Sequence, residues 1–353
     1  CELLRDGGGL GMIATNTIAQ GDTREVGLEQ MMGDGFASPR AISSQKWPRE
    51  ANLEVAIVWL RRGSWNGAHV LDGNVVTGIT PFLTVRGEVE GKPYRLAANA
   101  GKSFIGSYVL GMGFVLTPEA AQALIEKDPR NRDVLFPYLN GEDLNSRWDQ
   151  SPSRWVINFR DWPLYSESAP AGYRGPVAAD YPDCLRIVEE KVRPERERNK
   201  RTVRRERWWQ FAERAPALYA TIAGMERILA RALTGKHNAF AVVRTGIVFD
   251  QTCPVLVFDS AREFVVLGSS VHREWWLGYA PSLRTDPRYT PSDCFETFPF
   301  PASIDTLDSI GARYDAHRRL IMSTRHEGLT ATYNRFHSPD EHSPDIATLR
   351  ELH

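Results

Sequence analysis

The densest chemistry in the sequence lies between Lys191 and Arg207. Nine Lys and Arg (191, 193, 196, 198, 200, 201, 204, 205, 207) meet three Glu (195, 197, 206) there, a net of +6. A cationic stretch of this kind neutralises phosphates and gives salt-dependent, sequence-independent affinity for nucleic acid. The competing reading is a solvated helix laced with i,i+4 pairs such as Glu197–Arg201. The cations exceed what pairing needs, so Arg198, Arg201 and Arg205 are taken as contacts to a DNA backbone. Lys102, with Ser103 and Ser107 in GKSFIGS, is a weaker phosphate candidate, because the leading glycine of a nucleotide loop is missing. Thr15, Asn16, Thr17 and Gln20 follow the carboxyl end of a strand, where open α/β sheets place their ligands. For Asn16 a plain turn residue is the alternative.

Three further patterns are discounted. Pro182–Asp183 with Glu189, Glu190 and Lys191 imitates a nuclease metal site, but the spacing falls within one helix and arises easily by chance. His272, ahead of Trp275 and Trp276, has no second ligand at metal-binding spacing. Trp148, Trp155 and Trp162 recur every seven residues and are read as packing.

The elements that position these residues follow from composition and pattern. The chain has 353 residues, 43 basic and 44 acidic, with 42% hydrophobic and 10% aromatic residues. Such a chain buries a sizeable core in two or three domains, and disordered or collagenous classes are excluded. No apolar run reaches the length of a membrane span. Four scattered cysteines argue against a disulfide framework or a CxxC zinc site, so a soluble cytoplasmic protein is expected. The near-zero net charge hides a basic middle, +5 over 184–300, between more acidic ends.

The sequence reads as though it begins inside a domain. A glycine cluster, Gly7–Gly11, leads into a strand over Leu10–Ala14, a loop, a helix over Thr23–Met32 and a short strand around Pro39–Ser44. LEVAIVWL, within Asn52–Arg61, is apolar on both faces and predicts a strand covered on both sides. AHVLDGNVVTGI is a hairpin turning at Asp72–Gly73, and Pro118–Glu126 a helix capped by Thr117. Residues 183–233 read as strongly helical, 239–272 as a β-meander and 305–324 as a helix.

Several longer motifs carry a resemblance: GGLGMIATNTIAQGDTREVGL, Lys102–Ala120 (KSFIGSYVLGMGFVLTPEA), LFPYLNGEDLN, SRWVINFRDWP, RYTPSDCFETFPFP and EGLTATYNRFH. Together they resemble the MmeI-like (type IIL) restriction–modification enzymes and their solo-methylase relatives. These join nuclease, adenine methyltransferase, target recognition domain and a helical tail in one polypeptide. The resemblance spans essentially the whole chain. It implies an α/β (mixed α+β) protein: the C-terminal remnant of a Rossmann-like methyltransferase sheet over 1–70, an α+β target recognition domain over 71–301 and a short helical segment over 302–353. The glycine-rich cofactor turn and the Asn-Pro-Pro-aromatic motif of the family are both absent. S-adenosylmethionine is therefore expected in the intact parent, with none bound by this fragment, and no catalytic residue is assigned.

The resemblance also assigns roles. Trp59 matches the aromatic that stacks a flipped base, with Asn16 beside it, although packing is the alternative for a strand tryptophan. In PSLRTDPRY, Arg284 and Asp286 match a pair that reads one base pair. Arg can donate bidentately to guanine and Asp can accept from cytosine, so the pair suits G·C; a local surface ion pair is the alternative. Ser282, Arg288 and Tyr289 would touch phosphate or position the loop. The expected function is sequence-specific recognition of double-stranded DNA, inactive as an enzyme by itself and joined to an upstream methyltransferase half. Its parent methylates adenine in the bacterial cytoplasm at the nucleoid, with no membrane partner. The alternative is a non-catalytic specificity or assembly module of a phage-defence complex.

Overall fold

The computed structural model describes residues 4–19, 21–47, 54–86, 93–280, 282–283 and 286–353. Among the described residues no helix is long and apolar enough to cross a membrane. The chain divides into two compact units, one of Cys1–Ala98, Thr234–Lys236 and Glu274–Phe298, the other of Asn99–Leu233, His237–Arg273 and Pro299–His353.

The first unit is built on a five-stranded sheet. Strand β1 (Gly9–Thr15) leads through a 3-10 turn, Asn16–Ala19, and a helical stretch over 21–33 to β2 (Phe36–Lys46) and then β3 (Glu54–Arg62). β3 pairs antiparallel with both, so β1 and β2 run parallel with β3 inserted between them. Pro39, which has no N–H to give a ladder, falls at the register shift between Ala37 and Arg40, where pairing is already interrupted. The hairpin β4 (His69–Leu71) and β5 (Asn74–Val76) extends this sheet beyond β2. Its turn has Asp72 at φ 50° and Gly73 at φ 85°, the left-handed pair that a two-residue hairpin demands. The Asp72 carboxylate accepts from the Ser43 N–H and hydroxyl, both at 2.7 Å, and so ties the turn to β2.

β3 departs from expectation. Ala56, Val58 and Leu60 are buried in a core with Ile18 and Leu28, but Ile57 and Trp59 on the other face are only half-buried, and Ile13 beside Ile57 is 58% exposed. An apolar run on both faces implies cover on both, whereas the described residues cover one.

In the second unit, β11 (Ala241–Arg244), β10 (Arg227–Ala230), β13 (Pro254–Leu256) and β6 (Ser103–Ile105) form one sheet. A second sheet holds β12 (Val248–Phe249), β8 (Leu135–Leu139), β9 (Arg154–Ile157) and β7 (Val115–Leu116). The expected helix runs Pro118–Lys127, and the Thr117 side chain accepts from the Ala120 N–H at 3.2 Å. The expected meander holds only through β13. Residues Ala261–Gly268 are a helix in which Phe264, Val266 and Leu267 are buried, a spacing that serves a helix face despite two adjacent valines. Gly311 of helix Asp308–Arg325 lies so close that a Cβ would sit 2.3 Å from the Ala261 carbonyl oxygen. Helix Asp308–Arg325 also contributes Met322 to a core with Leu139, Phe249 and Val255, joined by Leu329 and Tyr333 of the next helix. Arg318 donates to the Phe240 carbonyl at 2.6 Å and Arg319 to that of Val242 at 2.7 Å, along the outer strand of the first of these sheets. The architecture is mixed α+β, as the sequence predicts.

Candidate nucleic-acid interface

At the carboxyl ends of β1 and β2 a polar group gathers from three elements. The Asn16 amide donates to the Ser44 hydroxyl at 3.3 Å and to Glu54 Oε2 at 3.2 Å, and Ser44 donates to the same oxygen at 2.6 Å. Thr15 and Thr17 share a hydroxyl–hydroxyl hydrogen bond of 2.6 Å. Asn16 is thus more than a turn residue, since it ties the strand end to β2 and β3. Gln20 lies outside the described residues. Trp59 is elsewhere. It pairs with Gly11 while Val55 pairs with Thr15, four residues along β3, or about 13 Å at ~3.3 Å per residue. Its ring lies over Gly11 and under the Arg40 guanidinium, 5.2 Å from the centroid. The structure does not bring Asn16 and Trp59 into one pocket.

The basic stretch is not one helix. Helix Pro182–Lys191 ends, Arg193–Glu197 restarts it with Pro194 in the first turn, and Thr202–Glu206 is separate. Its cations divide by their partners. Arg193 is flanked by Glu189 at 2.7 Å and Glu197 at 2.9 Å. Arg196 is 1% exposed and donates to the carbonyls of Leu110, Val109 and Gln210. Burial first, then the charge of Arg204, pushes the Arg196 guanidinium below its ordinary pKa. Arg205 bonds the carbonyls of Asn199 and Lys200 and the Thr202 hydroxyl, so it closes its own loop. Arg198 and Arg201 are exposed, as is Lys102. Of the other two residues grouped with Lys102, Ser103 is buried, and Ser107 is buried between the Arg214 carbonyl and the Tyr219 hydroxyl.

Beside this stretch lies a cleft of about 510 Å³, lined by Tyr108, Arg196, Arg204, Arg207, Glu213 and Arg214 among others. A neighbouring one of about 580 Å³, with Phe136, Asn158 and Arg160 in its wall, shares Arg214. Arg214 lies beyond the charge run and has no signal in the local sequence. It joins the group because Tyr108 and Glu213 pair backbone to backbone, at 2.9 and 3.0 Å.

In the loop after the tryptophans, Ser282 and Asp286 lie on the paired strands Ser282–Leu283 and Asp286–Pro287. Arg284 lies outside the described residues. Arg288 is exposed, and its backbone bridges that of Thr234. Tyr289 is fully buried against Trp276, with ring centroids 6.4 Å apart, so it anchors the loop and cannot reach a phosphate.

The discounted patterns can be placed as well. Asp183 pairs with Lys127 and Arg186, and among the described residues no three His, Cys, Asp or Glu gather as a metal site. His272 is buried and pushed down to about 3, by burial and then by Arg231, so it is neutral. Trp162 stacks on Tyr181 and Trp155 packs against the same core, but Trp148 is 43% exposed beside His326. The glycine cluster does not fit a cofactor loop. Gly7 N–H donates to the Arg62 carbonyl and Gly8 N–H to that of Arg5, and the run enters a strand rather than a helix.

No family model and no curated protein matches the sequence. Among solved structures, the type IIL restriction–modification enzyme MmeI, in complex with DNA, matches with a TM-score of 0.72 and 14% identity over 98% of this chain. The type IIG restriction endonuclease BpuSI matches with a TM-score of 0.37 and 12% identity, over 90% of this chain and 43% of its own. This chain spans 45% of the MmeI chain, and over that span its fold is MmeI-like.

Proposed function

We propose that this chain is the DNA-recognition part of an S-adenosylmethionine-dependent DNA adenine methyltransferase of the restriction–modification type. The observation that carries the reading is the fold, shared over 98% of the chain with an enzyme whose structure holds DNA. In this reading residues 1–70 complete a methyltransferase sheet, 71–301 recognise the target and 302–353 form the helical tail. The upstream half of the polypeptide supplies cofactor and catalytic loop, since the glycine cluster here lacks the geometry for either. The half-exposed face around Ile13 and Trp59 suits a junction with that half, as does β1, which pairs only with β3 among the described residues.

Arg284 and Asp286 read one G·C pair, with Ser282 and Arg288 beside them and Tyr289 holding the loop from below. Lys102, Arg198 and Arg201 face phosphate, and Arg205 shapes the loop that presents Arg201. Bidentate Arg–guanine contact contributes about 1–3 kcal/mol of discrimination against the wrong base. Selection from a randomised duplex library tests the reading. The chain is expected to enrich one short non-palindromic sequence, and Arg284→Ala to relax a single position within it. Recovery of unselected DNA by the unmodified chain would refute recognition.

A further inference from the structure

Four guanidiniums line the cleft beside Tyr108, and one carboxylate answers them. Arg204 makes a 3.5 Å contact with Glu213, whose side chain is 65% exposed, and lies over the Tyr108 ring at 5.7 Å. Among the described residues the Arg207 and Arg214 side chains have neither a hydrogen bond nor an ion pair, and Arg196 beneath them meets carbonyls only. Such a set repels itself until an anion enters, and planar guanidinium forks match phosphate oxygens in particular. The remaining wall is mostly apolar, with Ile105, Val203 and Phe211, and two glutamines, Gln210 and Gln251, interrupt it. A polymer of alternating phosphate and sugar offers both surfaces, and about 510 Å³ holds more than a lone phosphate.

We propose that this cleft is a phosphate site which grips the DNA backbone through Arg204, Arg207 and Arg214, an inference that rests on the DNA-recognition reading above. It moves the main backbone contact from the exposed run at Arg198–Arg201 to a built cleft. Arg214 is the arginine that charge counting along the sequence overlooks.

The test measures affinity of the full chain for a labelled mixed-sequence duplex across NaCl concentrations, with inorganic pyrophosphate as competitor. Each lost phosphate contact flattens the slope of log K against log salt by about 0.9, so Arg207→Gln with Arg214→Gln is expected to flatten it by about 1.8. The loss should be equal for all sequences, and the melting curve unchanged. DNA binding with an unaltered slope in the double variant would overturn the cleft and leave the recognition reading standing. No DNA binding by the unmodified chain would overturn the recognition reading itself. If pyrophosphate bound saturably through these two arginines while the slope for DNA stayed the same, the site would belong to a free phosphate ligand.

Discussion

In the helices from Asp308 onward, every described arginine but the exposed Arg313 is bonded within the protein. Arg318 reaches Asp315 and the Phe240 carbonyl, and Arg319 reaches Asp315 and Val242. Arg325 holds both oxygens of Asp345, Arg335 joins Glu327 and Glu341, and Arg350 donates to four carbonyls, those of Phe336, Glu341, Arg335 and Ser338. Around the cleft beside Tyr108, Arg207 and Arg214 have no such partners among the described residues. Both regions are arginine-rich in sequence. The difference lies in partners: a guanidinium that bonds carbonyls and carboxylates of its own chain holds the fold together, and one without such bonds keeps its donors for a ligand.

That contrast can be broken experimentally, and the largest effect is expected at Arg318. Its side chain is fully buried. Arg318→Ala leaves the Phe240 carbonyl without its donor and opens a void, so a loss of about 3–5 kcal/mol is expected in denaturant unfolding of the second unit. Arg350→Ala should cost about 1.5–3 kcal/mol in the same measurement, because charged donors to carbonyls are lost from a partly buried site. A change within about 0.5 kcal/mol at either position would undo the assignment of these arginines to the fold.

Acid should loosen the same helices. Hydrogen bonds from Arg325 hold the Asp345 carboxyl at about 2, and Ser343 followed by Arg335 holds Glu341 at about 2. A carboxyl depressed in the folded state stabilises fully above its unfolded value near 4, and the contribution is lost as pH falls through the folded value. Amide protection factors in helix Pro344–Leu352 are expected to fall between about pH 4 and pH 2. Unchanged protection across that range would show that the ion pairs are incidental. The smallest effect is expected at Arg207: Arg207→Ala should alter stability by no more than about 0.5 kcal/mol. A clear loss would mean that this arginine belongs with the first group.

Local signals were the legible part of this fold. Asp72–Gly73 and Thr117–Pro118 act within a few residues, and both produce the elements their types require. The segment AREFVVLG was misread because adjacent valines suit either period, and what decides is a helix arriving from Asp308–Arg325. The basic stretch was legible as charge but not as function. Arg196 is consumed by carbonyls at 109 and 110, far away in sequence, and no local pattern announces that. For Tyr289 the sequence leaves phosphate contact and loop positioning both open, and the packing of Trp276 against its ring excludes the first. The place of Asn16 at a strand's carboxyl end was legible from sequence order, whereas its partners Ser44 and Glu54, 28 and 38 residues away, were not.

The seating of Arg318 and Arg319 against Phe240 and Val242 also bears on synthesis. β11 leaves the ribosome well before the helix that supplies its outer donors. Until Asp308–Arg325 has followed, those carbonyls are open to any passing strand. A chain cut short before Asp308 is therefore expected to elute as multimers in size-exclusion chromatography, where the whole chain does not. The last helices act on the growing polypeptide as an intramolecular chaperone, arriving late and covering the outer edge of β11.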